Sequence, residues 1–493
     1  MVGDIPQQPL AGSVSRAIAE ENPRVASSLT EVSGSLFADS LTRAPVSGHD
    51  GPAARRLFKS SVLIAALIGV CFLAGCGNLI RLAADIKETG NKIRLVSGSM
   101  ATPVRADREV IVVVLGDDQG NEIHNYRVFE RDGAFRIAAL RDSQFLFAFQ
   151  DINRDFSYQA NEPATWFDLK EAGIQSGDVS EVRLVLSGPT DRPAPLRMTN
   201  LFDLRGSSLG QIDVQLGKTA SLDDARFSEQ SADMGMWEPI GFMKAGHAGI
   251  FFLEPYDAER TPVLFVHGIN GSPRDFSDLI ASIDRRRYQS WLFNYPSGLD
   301  LRALGDGLVG LLAELRHQHG FRKLHIVAHS MGGLLIREYL AECARSRSCD
   351  YMGNFVSVST PFGGVASAGW WLDYARVVMP VWRNLVPDGP FLRDLFDQSL
   401  PVGVSHHLLF SYRNVATLSR SSGDGVIPLE SQLRPEVQRE ASLVRGFNED
   451  HMSILRNKDL HRYVNEAFSS APGNSGASPE AGSRPPSPLP RVQ

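Results

Sequence analysis

The chain is 493 residues long, enough for about three domains, or for two with long tails. Hydrophobic residues make up 43% and charged residues 22%, which excludes a wholly disordered or fibrous chain. A net charge of −6, from 50 basic and 56 acidic residues, argues against a general nucleic-acid binder, and four cysteines are too few for a disulfide scaffold.

Residues 1–59 are polar and aperiodic, and read as a disordered leader closing on the basic segment Arg55-Arg56-Leu57-Phe58-Lys59. The apolar run that follows, within 60–75, is shorter than the roughly 20 residues a spanning helix needs. A basic flank, a short apolar core and a small-residue end describe an export signal. Its end, Leu73-Ala74-Gly75-Cys76, resembles the bacterial lipobox. That resemblance implies cleavage before Cys76 and a diacylglycerol on its thiol. Gly77, in place of an aspartate, points to the outer membrane.

Residues 76–100 are expected to hold the anchor and an amphipathic helix over about 79–96, with Leu79, Ile80, Leu82, Ile86 and Ile93 near one face. The period then changes. Segments 109–115, 122–129, 134–140, 144–150 and 181–186 are rich in β-branched or aromatic residues and separated by Gly/Asp turns, so 101–190 reads as a small β-sandwich. Inside it, Asp151, Asn153, Asp155 and Glu162 stand at positions 1, 3, 5 and 12 of a calcium-loop pattern. Phe156 occupies the position where that pattern wants glycine for a sharp turn. A structural calcium and a plain polar turn both remain open. Residues 191–236 read as an irregular linker.

From 237 to 470 short apolar strands alternate with helices, the pattern of a doubly wound, mostly parallel sheet. Strand Lys323–Val327 runs into Ala328-His329-Ser330-Met331-Gly332-Gly333 and a helix over about 331–344. Small residues flank a serine there because a strand-to-helix nucleophile elbow is tight; Ala328 replaces the usual first glycine. Serine needs a base, and the base needs an orienting carboxylate. His451 and Asp424 follow in the order Ser, Asp, His, with Asp397 and Glu430 as alternative acids. His406 and His407 precede Asp424 and fit that order poorly. The backbone N–H groups of Met331 and of Ile269, just past His267-Gly268, are the expected oxyanion donors.

The His-Gly loop, the elbow, Thr360-Pro361-Phe362-Gly363-Gly364 and Gly423-Asp424-Gly425-Val426 together resemble the α/β-hydrolase lipase/esterase superfamily, in the branch of bacterial triacylglycerol lipases and GPI inositol-deacylase-like hydrolases. The resemblance spans about residues 237–468. It implies an α/β-hydrolase fold, which here would follow the β-sandwich read from the strand pattern, with a serine esterase or lipase activity and no required cofactor. A cap over about 364–401 carries Trp370, Trp371, Tyr374 and Trp382, which would suit acyl chains or simply pack the cap. Cys343 and Cys349, six apart in an exported chain, are expected to pair. Residues 471–493, with six prolines, read as a disordered tail. The expected partners are a lipid or ester substrate and the membrane through lipidated Cys76, with no nucleic acid; the oligomeric state is not legible. The same triad would serve acyl transfer or amide hydrolysis. A surface-binding lipoprotein with an inactive hydrolase-like domain is the reading from another class.

Overall fold

The computed structural model describes residues 93–102, 109–118, 122–169, 178–188, 201, 214–368, 378–413 and 422–469. The leader, the apolar signal run, Cys76, Trp370, Trp371, Tyr374 and the tail lie outside the described residues. The chain divides into two compact units, with the division at 214/215 and Asp233–His247 grouped with the first.

The first unit holds two sheets. One has the order β4-β1-β7, from β4 (Gly133–Leu140), β1 (Ile93–Ala101) and β7 (Val179–Val185). The other has the order β3-β2-β5-β6, from β3 (Ile123–Phe129), β2 (Val110–Leu115), β5 (Phe145–Gln150) and β6 (Ala164–Asp168). Val96, Val112, Val114, Ile137, Ala148 and Leu184 form one apolar cluster drawn from both sheets, the interior of a sandwich. Ile111, Val113, Phe147 and Phe149 point the opposite way, into a second cluster with Phe156 and Tyr158. Strands β2 and β5 are therefore buried on both faces, which explains their unbroken apolar runs.

The helix expected over 79–96 does not reach its end. Residues 93–96 belong to β1, which pairs antiparallel with β4 from Ile93↔Leu140 to Met100↔Gly133. The helical spacing of Ile93 with the residues before it is overridden by this ladder and by burial of Val96 and Met100.

The second unit is an eight-stranded sheet of order β15-β14-β13-β12-β10-β11-β9-β8. Its strands are β8 (Gln215–Thr219), β9 (Gly249–Phe252), β10 (Thr261–Val266), β11 (Tyr288–Asn294), β12 (Leu324–His329), β13 (Met352–Val358), β14 (Ser405–Tyr412) and β15 (Leu443–Asn448). From β11 to β15 every neighbouring pair is parallel, whereas β9 runs antiparallel to β11 and parallel to β8. The sheet thus begins at Gln215, inside the stretch read as an irregular linker. Strand β8 is short and polar, and its order comes from pairing with β9.

Helices cover both faces. Val263, Phe265, Val327, Val356 and Leu409 pack on one side with Leu460, Val464 and Phe468 of α3 (Lys458–Ser469). The helix after the elbow, α2 (Met331–Ser346), lies against β12 and β10, and α1 (Leu301–His319) packs on α2. Helix α1 starts where Asp300 caps the N–H groups of Arg302 and Ala303, and stops at the left-handed Gly320. In the described part of the cap, Met379, Val381, Trp382 and Leu385 are buried, and the Asn384 side chain accepts from the Leu301 N–H. These residues pack the cap onto the domain. Cys343 and Cys349 form a disulfide at the end of α2.

Candidate active site

Strand β12 delivers Ser330 to the carboxyl edge of the sheet. Its backbone has φ 55° and ψ −131°, outside the regions a serine ordinarily occupies. The strain is held because the Ser330 N–H bonds Val358 O on β13 at 2.8 Å while the next residue already begins α2. The glycines of the elbow are sterically required: a Cβ on Gly332 would come 2.4 Å from His267 O, and one on Gly333 would come 1.9 Å from Thr360 Oγ1.

Ser330, His451 and Asp424 come together. Ser330 Oγ lies 2.9 Å from His451 Nε2, and His451 Nδ1 lies 2.8 Å from Asp424 Oδ2. An ionised carboxylate only accepts, so Nδ1 carries the ring proton and Nε2 is free to accept from the serine hydroxyl. Asp424 is 1% exposed. Burial raises its pKa, but the His451 hydrogen bond and charge, the Ile427 N–H and the Ser411 hydroxyl outweigh burial and hold it below its ordinary value.

The environment of Asp424 includes residues that sequence reasoning missed. Ser411 Oγ, at the end of β14, donates to Oδ2 at 2.7 Å and is itself 2.6 Å from Ser359 Oγ. Gln432 Nε2 reaches Oδ2 at 3.2 Å while its carbonyl accepts the Ser411 N–H. The N–H groups of Val426 and Ile427 close on Oδ1 at 2.9 and 2.7 Å. Only the turn Gly-Asp-Gly-Val signals any of this in the sequence.

His329 holds His451 from behind. Its Nε2 is 2.8 Å from the backbone oxygen of His451, so Nε2 must be the protonated nitrogen. Burial, with the neighbouring His451, pushes its pKa down to about 3 and keeps the ring neutral. His267 is a structural histidine: its Nδ1 bonds Gly268 O, its ring stacks on Tyr295 at 4.3 Å, and burial pushes its pKa down to about 4.

Among the expected oxyanion donors, Met331 is the first residue of α2, so its N–H has no intrahelical acceptor. The loop carrying Ile269 lies against Ser330, since a Cβ on Gly268 would sit 2.9 Å from Ser330 Cβ and 3.4 Å from its Oγ. The alternative histidines are engaged elsewhere: His406 Nε2 with Ser357 Oγ, His407 Nδ1 with the Tyr463 hydroxyl. Asp397 and Glu430 form no ion pair with a histidine among the described residues.

In the first unit, Asp151, Asn153, Asp155 and Glu162 do gather in one loop, but its own amides occupy their oxygens. Asp151 accepts the Phe156 N–H at 2.8 Å, Asp155 the Ser157 N–H at 2.8 Å, and Glu162 those of Ile152 and Gln159 at 2.7 and 2.9 Å. Phe156 takes the left-handed φ of 59° that the pattern assigns to glycine, with its side chain fully buried. No group of three or more His, Cys, Asp or Glu poised for a metal is found among the described residues.

A mostly parallel sheet with a serine at a strand-to-helix elbow is the arrangement of the α/β-hydrolase fold. Residues 261–384 match the family model described as alpha/beta hydrolase fold. Among solved structures, the mature lipase BlEst2 of Bacillus licheniformis is similar at 19% identity and TM-score 0.36, covering 44% of this chain and 97% of that one. Aspergillus fumigatus lipase B is similar at 15% identity and TM-score 0.35, covering 54% and 63%. A gene product of Listeria innocua is similar at 12% identity and TM-score 0.35, covering 44% and 96%. No curated protein matches the chain.

Proposed function

We propose that this chain is a serine hydrolase of carboxylic esters, acting on lipid or other hydrophobic acyl esters and held at the bacterial outer membrane through a lipidated Cys76. The observation that carries the chemistry is the unbroken hydrogen-bonded chain from Ser330 through His451 to Asp424. The lipid preference is supported by the lipobox-like sequence and the tryptophan-rich cap sequence.

In this reading Ser330 Oγ attacks the ester carbonyl and its proton passes to His451 Nε2. Asp424, held ionised by its donors, stabilises the imidazolium and fixes the ring's tautomer. The tetrahedral oxygen takes hydrogen bonds from the N–H groups of Met331 and Ile269 and the favourable field of the α2 N-terminus. His451 returns its proton to the leaving alkoxide as the carbon–oxygen bond breaks. Water then repeats the sequence on the acyl-Ser330 ester, releasing the acid and restoring the serine.

A fluorophosphonate probe tests the site: labelling of the wild type and none of Ser330→Ala is expected. Hydrolysis of p-nitrophenyl esters from acetate to palmitate tests the substrate class. Activity surviving Ser330→Ala removes the mechanism, and activity confined to the acetate removes the lipid preference.

A further inference from the structure

The edge of the large sheet opposite Ser330 carries a concave site. The amino-terminal ends of β10, β11 and β12 and the last turn of α3 line an open cleft of about 280 Å³. Ser330 follows the other end of β12, a strand of six residues, so about 20 Å separates the two places.

Its wall is rich in donors and poor in acceptors. Arg286, Arg287 and Lys323 face it together with one carboxylate, Glu259. Arg286 is already paired with Asp284 at 3.2 Å. Neither Arg287 nor Lys323 forms an ion pair with a carboxylate among the described residues; Arg287 donates to Ser469 Oγ and lies over the Tyr288 ring. Burial and then the charge of Arg287 lower the pKa of Lys323.

Two buried polar groups belong to the same wall. His325 is 1% exposed and its Nδ1 accepts the Asn354 N–H at 3.0 Å. Nδ1 is thus the acceptor and burial keeps the ring neutral, so its proton is on Nε2. The Tyr288 hydroxyl is buried without a hydrogen-bond partner. Gly353 makes room for the arrangement: a Cβ there would come 2.8 Å from Lys323 Cε and 2.9 Å from His325 Nδ1. Two cations with no ion pair among the described residues, beside the buried Tyr288 hydroxyl and the His325 N–H, call for a ligand rich in acceptors.

We infer that this cleft binds a phosphate-class oxyanion, free or as a phosphomonoester headgroup, through Arg287, Lys323 and His325 Nε2–H. A multivalent oxyanion answers several donors at once, whereas chloride offers no directed acceptors. The cleft exceeds one phosphate group in volume and leaves room for an ester substituent.

Titration calorimetry of the full chain with inorganic phosphate, at ionic strength held with sodium chloride, tests the site. Saturable one-to-one binding is expected. Arg287→Gln and Lys323→Gln should each weaken it about tenfold or more, the loss of a charge-assisted hydrogen bond. Both variants should keep fluorophosphonate labelling of Ser330, which reports that they are folded. Co-sedimentation with phosphatidylcholine vesicles, with and without phosphatidic acid, separates the sources: retention by phosphatidic acid that both variants lose assigns a headgroup, and phosphate binding alone assigns the free ion. The inference is overturned by no saturable heat up to about 10 mM phosphate together with no variant-sensitive retention, or by variants that bind like the wild type.

Discussion

Gly268→Ala is a one-carbon probe of the proposed oxyanion loop. The new Cβ would sit 2.9 Å from Ser330 Cβ, about 0.6 Å inside the near end of ordinary carbon contact. Ser330 has little freedom to retreat, because its N–H is bonded to Val358 O and its φ of 55° is fixed by the turn into α2. The loop must therefore move, and Ile269, one residue on, moves with it. A displacement of that size takes the Ile269 N–H out of line with the developing oxygen. Loss of one such donor costs about 10²–10³ in kcat. Overpacking should also cost about 1–3 kcal/mol of stability. Steady-state hydrolysis of a p-nitrophenyl ester should show kcat reduced about a hundredfold, with KM changed far less, because the lost interaction belongs to the transition state. Urea unfolding of the same sample separates this from a folding defect. A folded Gly268→Ala protein with kcat within about fivefold of wild type would refute the placement of the donor.

His329→Leu should lower kcat about tenfold by freeing the His451 backbone oxygen, and His329→Gln, which keeps a donor, should recover part of it; equal losses in both would deny the positioning role. Asp424 has a folded pKa below its unfolded value of 3.8, so its contribution to stability is present above that value and fades as pH falls through the lower folded value. The stability gap between wild type and Asp424→Asn, from urea midpoints, should accordingly narrow as pH drops below about 4. Ser411→Ala removes a donor from Asp424 Oδ2, so the folded pKa of Asp424 should rise toward its ordinary value and that stability gap should finish narrowing at a higher pH than with Ser411 present. Replacing Cys343 and Cys349 by serine should cost about 2 kcal/mol, the closure entropy of so short a loop, read as a lower urea midpoint.

What the sequence revealed is what local physics determines. The elbow needs only a buried strand, small neighbours and a helix start, all contiguous, so Ser330 was legible from a dozen residues. Asp424 and His451 are singled out by their order along the chain and by the glycines around Asp424, although 121 residues separate Ser330 from the histidine that meets it. Ser411 and Gln432 were invisible, since a hydroxyl at a strand end and a buried amide acquire meaning only when β14 meets the Asp424 turn. Strand β15 was missed for a related reason: at the sheet edge only Phe447 among its six residues is fully buried, so it shows no apolar run. Strand β8 carries Gly217 and Lys218 and is ordered by its neighbour. In the sandwich, β1 was mistaken because Ile93 continues a helical spacing whose other members lie earlier in the chain.

The turn from Asp151 to Glu162 has a further consequence. By spending its carboxylates on its own amides, it becomes a stiff plug that presses Phe156 and Tyr158 onto the outer side of the four-stranded sheet. The sandwich thereby supplies its own third layer. With β2 and β5 upholstered on both sides, the described part of this sheet leaves its outer strands and loops as the surface open to a companion.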